Sequence, residues 1–158
     1  MRKLVLGFAL PLAMLVMSAQ AHADFGDLFK PRTPINTGGA AVVAHVDVST
    51  QTLDLIVDGS HYADWAVSTA GNGYHTPRGT FRVQRMAKVW FSRKYDNSPM
   101  PNSVFFNGGI AIHGSYHIRS LGHPASHGCV RLAPEHAAEL FSLVQKYGAS
   151  HTRVIVTD

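Results

Sequence analysis

Short stretches of alternating apolar and polar residues run through the chain from residue 40 onward. Residues 42–48 and 53–57 alternate in this way and predict a hairpin of two strands, because successive side chains of a strand point to opposite faces. The pair Asp58-Gly59 is a turn signal, and a third strand is predicted at residues 62–68. Further short strands are predicted at residues 80–83, 104–106, 110–113 and 153–156.

One amphipathic helix is predicted late in the sequence. Pro134 suits its first turn and Gly148 suits its C-terminal end. Leu140, Phe141 and Val144 fall on one apolar face. Many short strands with one or two helices predict a mostly-β fold, packed as a sandwich or a partial barrel.

The first 23 residues have the pattern of a secretory signal peptide. Arg2 and Lys3 precede an apolar run at residues 4–17, and the segment ends in Ala-His-Ala at residues 21–23. The alternative is a membrane anchor, but the run is shorter than the roughly 20 residues that a spanning helix needs. We therefore predict a signal peptide at 1–23, a tether at 24–39 and a folded domain at 40–158, with no stable membrane span after cleavage.

The charge balance argues against nucleic acid as a partner. The formal net charge of the 158 residues is +4, and loss of Arg2 and Lys3 with the signal peptide reduces it to +2. An exported chain of such low net charge lacks the strongly basic footprint of a nucleic-acid-binding protein. The hydrophobic fraction of 46% also excludes a wholly disordered chain.

One local run of charge stands out within residues 78–94, which we call the basic segment. It has two interpretations: a solvated edge or loop, or a surface that attracts an anionic polymer. Residues 88–103, which overlap it, form a long irregular stretch, and loops of that length are commonly functional or mobile. The cations of the basic segment are Arg78, Arg82, Arg85, Lys88, Arg93 and Lys94, with no acidic residue between them.

The residues near the single cysteine, Cys129, in the sequence are suited to thiol chemistry. His127 lies two residues before it and His113 sixteen before it. An imidazole can take the thiol proton, and the imidazolium then stabilises the thiolate nucleophile. Backbone N–H groups of Gly128 and Cys129 are candidate donors to an oxyanion, and Arg131 offers a fork of donors for a carboxylate.

Two other interpretations of Cys129 remain open at this level. A lone cysteine near a histidine is commonly a packed core residue. Alternatively, Cys129 and the surrounding histidines form a zinc or copper site. Those histidines are His113, His117, His123 and His127.

Four stretches of the sequence together resemble one family. Ser-His-Gly-Cys-Val-Arg at 126–131 follows Ile-His-Gly at 112–114, and this pairing is similar to the active-site signature of the L,D-transpeptidase catalytic domain of the YkuD type. Upstream, Val-Ser-Thr-Ala-Gly at 67–71 and Thr-Pro-Arg-Gly-Thr-Phe at 76–81 resemble the family's first characteristic stretch. The resemblance covers residues 40–156, nearly all of the predicted domain.

The resemblance implies a periplasmic or cell-envelope enzyme that acts on peptidoglycan stem peptides. Cys129 would attack the diaminopimelate–D-alanine bond of a tetrapeptide stem, and the acyl group would pass to a second diaminopimelate amine in a 3→3 cross-link. No metal or organic cofactor is implied. Carbapenems typically acylate members of the family, so an adduct on Cys129 is expected.

The resemblance also implies roles for single residues. His113 matches the general acid/base, and His127 matches the motif histidine, whose role is orienting, basic or structural. Some members use a lid tyrosine, for which Tyr95 is the candidate. Oxyanion or substrate-binding positions are Gly128, Ser126, Arg131 and Gly114.

The resemblance leaves other reactions possible at the same site. Similar domains act as L,D-carboxypeptidases with water as acceptor, or attach an envelope protein to peptidoglycan or release it. There are two non-enzymatic alternatives: a peptidoglycan-binding module without catalysis, and a histidine-rich metal-binding protein.

Overall fold

The computed structural model describes residues 37–158, which form a mostly-β fold with one α-helix. The helix is α1 (Pro134–Tyr147), and short 3-10 turns lie at Ile118–Ser120 and Ala149–His151. The predicted signal peptide and residues 24–36 of the predicted tether lie outside the described residues. The strands are β1 (Val42–Asp47), β2 (Thr52–Val57), β3 (Ser60–Ala66), β4 (Gly79–Arg82), β5 (Arg85–Ala87), β6 (Phe91–Ser92), β7 (Ser98–Pro99), β8 (Ser103–Asn107), β9 (Ile110–Gly114), β10 (Val130–Leu132) and β11 (Thr152–Thr157).

The first sheet has five strands in the order β3-β2-β1-β11-β4. β1 and β2 form the predicted antiparallel hairpin, with Ala44 opposite Leu55. β11 lies parallel to β1, so that Val42 pairs with Thr152. β11, which comes after every other described element in the chain, therefore lies between β1 and β4.

The second sheet has four strands in the order β10-β9-β8-β5. β10 runs parallel to β9, and the remaining neighbours are antiparallel. A separate small hairpin, β6–β7, projects from the connection between β5 and β8. We call residues 90–100, which contain this hairpin, the lid hairpin.

The main core lies between the two sheets and the helix. Residues of β1, β2, β8, β9, β10 and β11 pack there together with one face of α1. Leu140 and Val144 of the predicted apolar face are almost completely buried, together with Ala137, which was not predicted. Phe141, the third predicted residue, is partly buried and packs against this core. Each such side chain removed from water contributes on the order of 1–3 kcal/mol, so this shared core fixes the second sheet on which the site is built.

The prediction of a mostly-β fold with a helix from Pro134 to about Gly148 is confirmed. The sequence pattern missed β5 and β10, because three residues are too few to show an alternation. The stretch 88–103, predicted to be irregular, contains the lid hairpin. Among the described residues no helix has the length and apolar character needed to cross a membrane.

Candidate active site

The second sheet turns one face to the core and the other to a cavity. Val104, Ile112 and Val130 are cross-strand neighbours on the core face and are buried. Because side chains alternate along a strand, the residues beside them point the opposite way. Cys129 directly precedes β10 and lines the cavity on that opposite side. The pairs on the cavity face are Arg85–Phe105, Phe105–Ala111 and Arg131–His113.

The cavity has a volume of about 530 Å³ and brings most of the predicted site residues together. Its walls come from the second sheet, the lid hairpin and the segment around residues 115–117. Two predicted positions, Gly114 and Gly128, do not line it. The predicted residues that do are Cys129, His113, His127, Ser126, Arg131 and Tyr95.

Cys129 is partly buried at the floor of the cavity. Its side chain packs against Met100, Phe105 and Ala111, and Sγ lies 3.8 Å from the carbonyl oxygen of Gly109. Burial raises the pKa of the Cys129 thiol, because a thiolate loses more hydration than a thiol does. At neutral pH the sulfur is therefore protonated and needs a base to become a strong nucleophile.

His113 is held as a neutral imidazole with its second nitrogen available. Only 6% of the residue is exposed, and burial lowers the pKa of its imidazole to about 4. Nδ1 lies 2.8 Å from the carbonyl oxygen of Gly114. A carbonyl only accepts, so Nδ1 carries the hydrogen and Nε2 keeps a lone pair. The resting site thus holds a neutral thiol and a neutral imidazole.

A buried serine and a buried threonine fix the turn before Cys129. Ser126 Oγ donates to the Cys129 carbonyl at 2.6 Å and accepts from the Gly128 N–H at 3.0 Å. Thr76 Oγ1 donates to the Gly128 carbonyl at 2.9 Å and accepts from the Ala70 N–H at 3.0 Å. Sequence reasoning gave Thr76 no role, although it lies in the Thr-Pro-Arg-Gly-Thr-Phe stretch that carried part of the resemblance.

Gly128 allows this turn to form but does not provide a free oxyanion donor. Its φ is +130°, and a Cβ there would lie 3.0 Å from the His75 carbonyl oxygen. Because its N–H is bound to Ser126, the expectation that Gly128 donates to an oxyanion does not fit. Within residues 37–158, the Cys129 N–H has no hydrogen-bond acceptor, so it remains available for that purpose.

Gly114 likewise acts through packing and not through contact with the cavity. A Cβ at this position would lie 3.1 Å from Pro101 Cγ and 3.2 Å from Pro134 Cα. Its N–H donates to the Pro101 carbonyl at 2.8 Å, and its own carbonyl holds His113. The predicted substrate-binding role of Gly114 is therefore replaced by a positioning role toward His113.

His127 lies between two tyrosines at the edge of the cavity. The Tyr95 ring from the lid hairpin stacks on the imidazole, with centroids 4.1 Å apart. Tyr74 meets the same imidazole edge-on, with centroids 4.5 Å apart. Ser126 and His127 also line a second cavity of about 440 Å³ together with Tyr74. His127 therefore lies between two spaces, and Tyr95 ties the lid hairpin to it.

Comparison with known proteins identifies the family. The model of the L,D-transpeptidase catalytic domain, YkuD, matches residues 41–156. The chain belongs to this family. A search of curated proteins by sequence returns no match to this L,D-transpeptidase domain.

Solved L,D-transpeptidases share the fold of this domain. One from Mycobacterium smegmatis has a TM-score of 0.66 at 25% identity, over 76% of this chain and 60% of the other. One from Xylanimonas cellulosilytica has a TM-score of 0.65 at 29% identity, over 80% and 63% of the two chains. One from Stackebrandtia nassauensis has a TM-score of 0.65 at 26% identity, over 75% and 56%. The chain thus covers less than two thirds of the length of each of these structures.

Arg131 adds a cation to the cavity of the L,D-transpeptidase domain. Its backbone N–H and carbonyl pair with Ser68 at 2.9 and 3.0 Å, and its guanidinium reaches the Ala125 carbonyl at 3.3 Å. The side chain is half-buried and lines the cavity. This placement is compatible with the predicted carboxylate contact.

The basic segment does not act as one surface in the L,D-transpeptidase domain. Arg85, Arg93 and Lys94 line the cavity, whereas Arg78 forms an ion pair with Asp158. Arg82 is exposed on β4 and lies outside the cavity lining. The two interpretations offered for the segment therefore apply to different residues within it.

Side chains at metal-ligand spacing lie elsewhere in the L,D-transpeptidase domain. Within residues 37–158, ligand atoms of Asp54, His61 and Asp64 come within 4.8 Å of one another on β2 and β3. His61 also lies 3.2 Å from Asp64 and 3.6 Å from Asp54, as in an ion pair. The histidines near Cys129 do not belong to this set.

Proposed function

We propose that this chain is an exported cysteine L,D-transpeptidase that acts on peptidoglycan stem peptides. The observation that carries the proposal is the presence of Cys129 and His113 in one cavity, with the imidazole neutral and its Nε2 lone pair unused. A protonated thiol that shares a cavity with a neutral base is the resting arrangement expected of a nucleophile that is activated as it attacks.

Acylation begins when Cys129 Sγ attacks the carbonyl carbon of the diaminopimelate–D-alanine bond. His113 Nε2 takes the thiol proton, and the Cys129 N–H donates to the oxyanion that forms on the carbonyl oxygen. Collapse of this intermediate breaks the C–N bond. The imidazolium returns the proton to the nitrogen of the leaving D-alanine, so the products are a thioester and free D-alanine.

Deacylation uses the same two groups in the reverse order. The side-chain amine of a second diaminopimelate attacks the thioester, His113 removes a proton from it, and Sγ leaves and regains a proton. The result is a 3→3 cross-link. With water as the acceptor the product is a tripeptide, and with a protein amine it is a protein attached to peptidoglycan.

The arrangement of the chain fits this function. We propose that residues 1–23 direct export and are removed, that 24–39 tether the domain, and that residues 40–158 form the catalytic domain in the periplasm or cell envelope. N-terminal sequencing of protein recovered from the envelope fraction tests the cleavage, and the expected first residue is Asp24.

Mass spectrometry of the purified protein incubated with disaccharide-tetrapeptide tests the reaction. A transpeptidase yields a dimer whose mass equals two substrates less one D-alanine. Tripeptide without dimer identifies a carboxypeptidase, and unchanged tetrapeptide contradicts both. Cys129→Ala is the matched control for every product.

A carbapenem tests the nucleophile independently of the acceptor. We expect one carbapenem adduct on the wild-type protein, located on Cys129 by peptide mapping. Equal labelling of Cys129→Ala would contradict the assignment. An adduct on Cys129 together with unchanged tetrapeptide would direct attention to protein attachment or release as the reaction.

A further inference from the structure

All the Arg, Lys, Asp and Glu side chains that line the cavity are cationic. Its lining contains Arg85, Arg93, Lys94 and Arg131 and no aspartate or glutamate. None of these four forms an ion pair with another residue in the range 37–158. Concentrated charge of one sign in a concave site attracts a ligand of the opposite sign, so the cavity is built for an anionic substrate.

Arg85 differs from the other three cations because it contacts two aromatic rings at short distance, whereas of the others only Lys94 lies over a ring, that of Tyr95 at 5.4 Å. β5 places it directly opposite Phe105 on β8. Its guanidinium carbon lies 3.6 Å from the centroid of the buried Phe105 ring and 4.3 Å from that of Trp90. The two rings meet edge to face at 5.6 Å. These cation–π contacts reduce the conformational freedom of the long Arg85 side chain, while its N–H donors remain available.

The donors of Arg85 have no acceptor within the described part of the chain. The guanidinium of Arg131 reaches the Ala125 carbonyl, and that of Arg78 binds Asp158 and the Thr76 carbonyl. Among the arginines of residues 37–158, side-chain hydrogen bonds are formed by Arg78, Arg131 and Arg153 and not by Arg85, whose contacts are with the two rings. A fixed guanidinium facing a cavity without an acceptor is suited to bind one that a ligand brings.

The strand spacing between Arg85 and the cluster on which Cys129 packs is close to the distance between the reacting carbonyl and the glutamate α-carboxylate of a stem peptide. Arg85 and Ala111 lie on strands two apart in the sheet, which places their backbones roughly 10 Å apart, and Cys129 packs against Ala111 and Phe105. In a γ-linked stem peptide, about seven bonds separate the diaminopimelate carbonyl from the glutamate α-carboxylate, or roughly 8 Å when extended.

We propose that Arg85 binds the glutamate α-carboxylate of the donor stem and makes the enzyme selective for stems in which that group is free and not amidated. This inference rests on the proposed function and adds the substrate form that the site selects. Amidation removes the negative charge and replaces one acceptor oxygen by a donor, which the Arg85 guanidinium cannot bind in the same way.

The test compares kcat/KM for two disaccharide-tetrapeptides that differ only in the glutamate α-carboxylate and its amide. We expect the wild-type protein to prefer the carboxylate about tenfold or more, in line with the usual strength of a charge-assisted hydrogen bond. Arg85→Met should lose the preference by reacting more slowly with the carboxylate alone. Arg85→Lys should keep part of it, because its charge remains but its fork of donors does not.

Arg82→Met is the matched control, since Arg82 is an exposed cation three residues away that does not line the cavity. It should keep the full preference. The rate at which neutral iodoacetamide alkylates Cys129 confirms that each variant retains a folded site. Equal kcat/KM for the two substrates in the wild type, or an unchanged preference in Arg85→Met, would overturn the proposal for Arg85. No turnover of either substrate by a protein that iodoacetamide labels would instead overturn the proposed function.

Discussion

Burial and one hydrogen bond determine the protonation of His113. The Gly114 carbonyl fixes the hydrogen on Nδ1, and the apolar surroundings oppose a charge on the ring. For Cys129 the same burial favours the neutral form of the thiol. Both groups are thus uncharged in the resting structure. In the reaction that we propose, the thiol proton moves to His113 as the bond to sulfur forms.

The neutral state of His113 predicts an acid-sensitive fold. Its pKa is about 4 in the folded protein and near 6.5 in an unfolded chain. Between these values the unfolded state binds a proton that the folded state does not, so stability falls as the pH is lowered from 6.5 to 4. The expected loss is about 3 kcal/mol in the free energy of unfolding.

Urea unfolding at pH 7 and pH 4 measures this loss, with His113→Gln as the matched variant. Glutamine does not titrate, so the other acidic and basic groups affect both proteins alike. The wild type should lose about 3 kcal/mol more than the variant between the two pH values. Parallel losses would show that His113 does not resist protonation.

At the scale of elements, the site is a turn clamped by a neighbouring segment and covered by a small hairpin. Thr76 holds the turn at Gly128, and Tyr95 brings the lid hairpin onto His127. Each element is too short to be stable alone, since a two-stranded hairpin is marginal in water. Both therefore depend on single side-chain contacts that substitutions can remove.

Thr76→Val should weaken the turn. Valine has nearly the same shape as threonine, but it leaves the Ala70 N–H and the Gly128 carbonyl without the partner they have now. Leaving buried polar groups unpaired costs about 1–3 kcal/mol each, and Thr76 is fully buried. Thermal unfolding should show a loss of at least about 1 kcal/mol, and Thr76→Ser, which keeps the hydroxyl, should lose less. Equal stability of Thr76→Val and wild type would contradict the role given to this hydroxyl.

Tyr95→Ala should loosen the lid hairpin. A stacked aromatic pair contributes about 0.5–1.5 kcal/mol, so exchange of the Ser98 and Met100 amides, which bond to the Tyr95 and Trp90 carbonyls, should accelerate roughly threefold to tenfold. Tyr95→Phe keeps the ring and should exchange like the wild type. If the alanine variant exchanged at the wild-type rate, the stack on His127 would not hold the hairpin.

Local patterns predict local elements and little beyond them. The β1–β2 hairpin and the caps of α1 were readable because alternation, turn residues and helix ends lie within one stretch of chain. β5, which begins at Arg85, and β10, which directly follows Cys129, could not be predicted in this way. The roles of Arg85 and Thr76 arise from contacts with distant segments, for which a single sequence holds no local signal.

At the scale of the molecule, two sheets share one core, and their arrangement depends on long-range pairing. The motif residues allowed Cys129, His113 and His127 to be singled out from the sequence, and the structure places all three at one cavity. Their neighbourhood could not be predicted, because it is created by pairings such as that of Val42 with Thr152. Such parallel pairing leaves no mark in the hydrophobic pattern of either strand alone.

Removal of residues 152–158 should therefore abolish folding of the domain. β11 supplies three almost completely buried residues, Thr152, Val154 and Val156, and it joins β1 to β4. Near-ultraviolet circular dichroism of the truncated protein should show no fixed tertiary structure. Asp158→Asn is the matched control: it removes only an exposed ion pair with Arg78, which contributes at most about 1 kcal/mol. A truncated protein with a native spectrum would contradict the central role of β11.

The order of elements also has a consequence for biogenesis. Since β1 needs β11 as its neighbour, and β11 is translated after every other described element, the growing polypeptide cannot complete its first sheet before β11 has left the ribosome. Until then the first sheet stays open. For the export that we propose, such late folding keeps the chain unfolded for longer, and an unfolded chain is the form that a narrow translocation channel can pass.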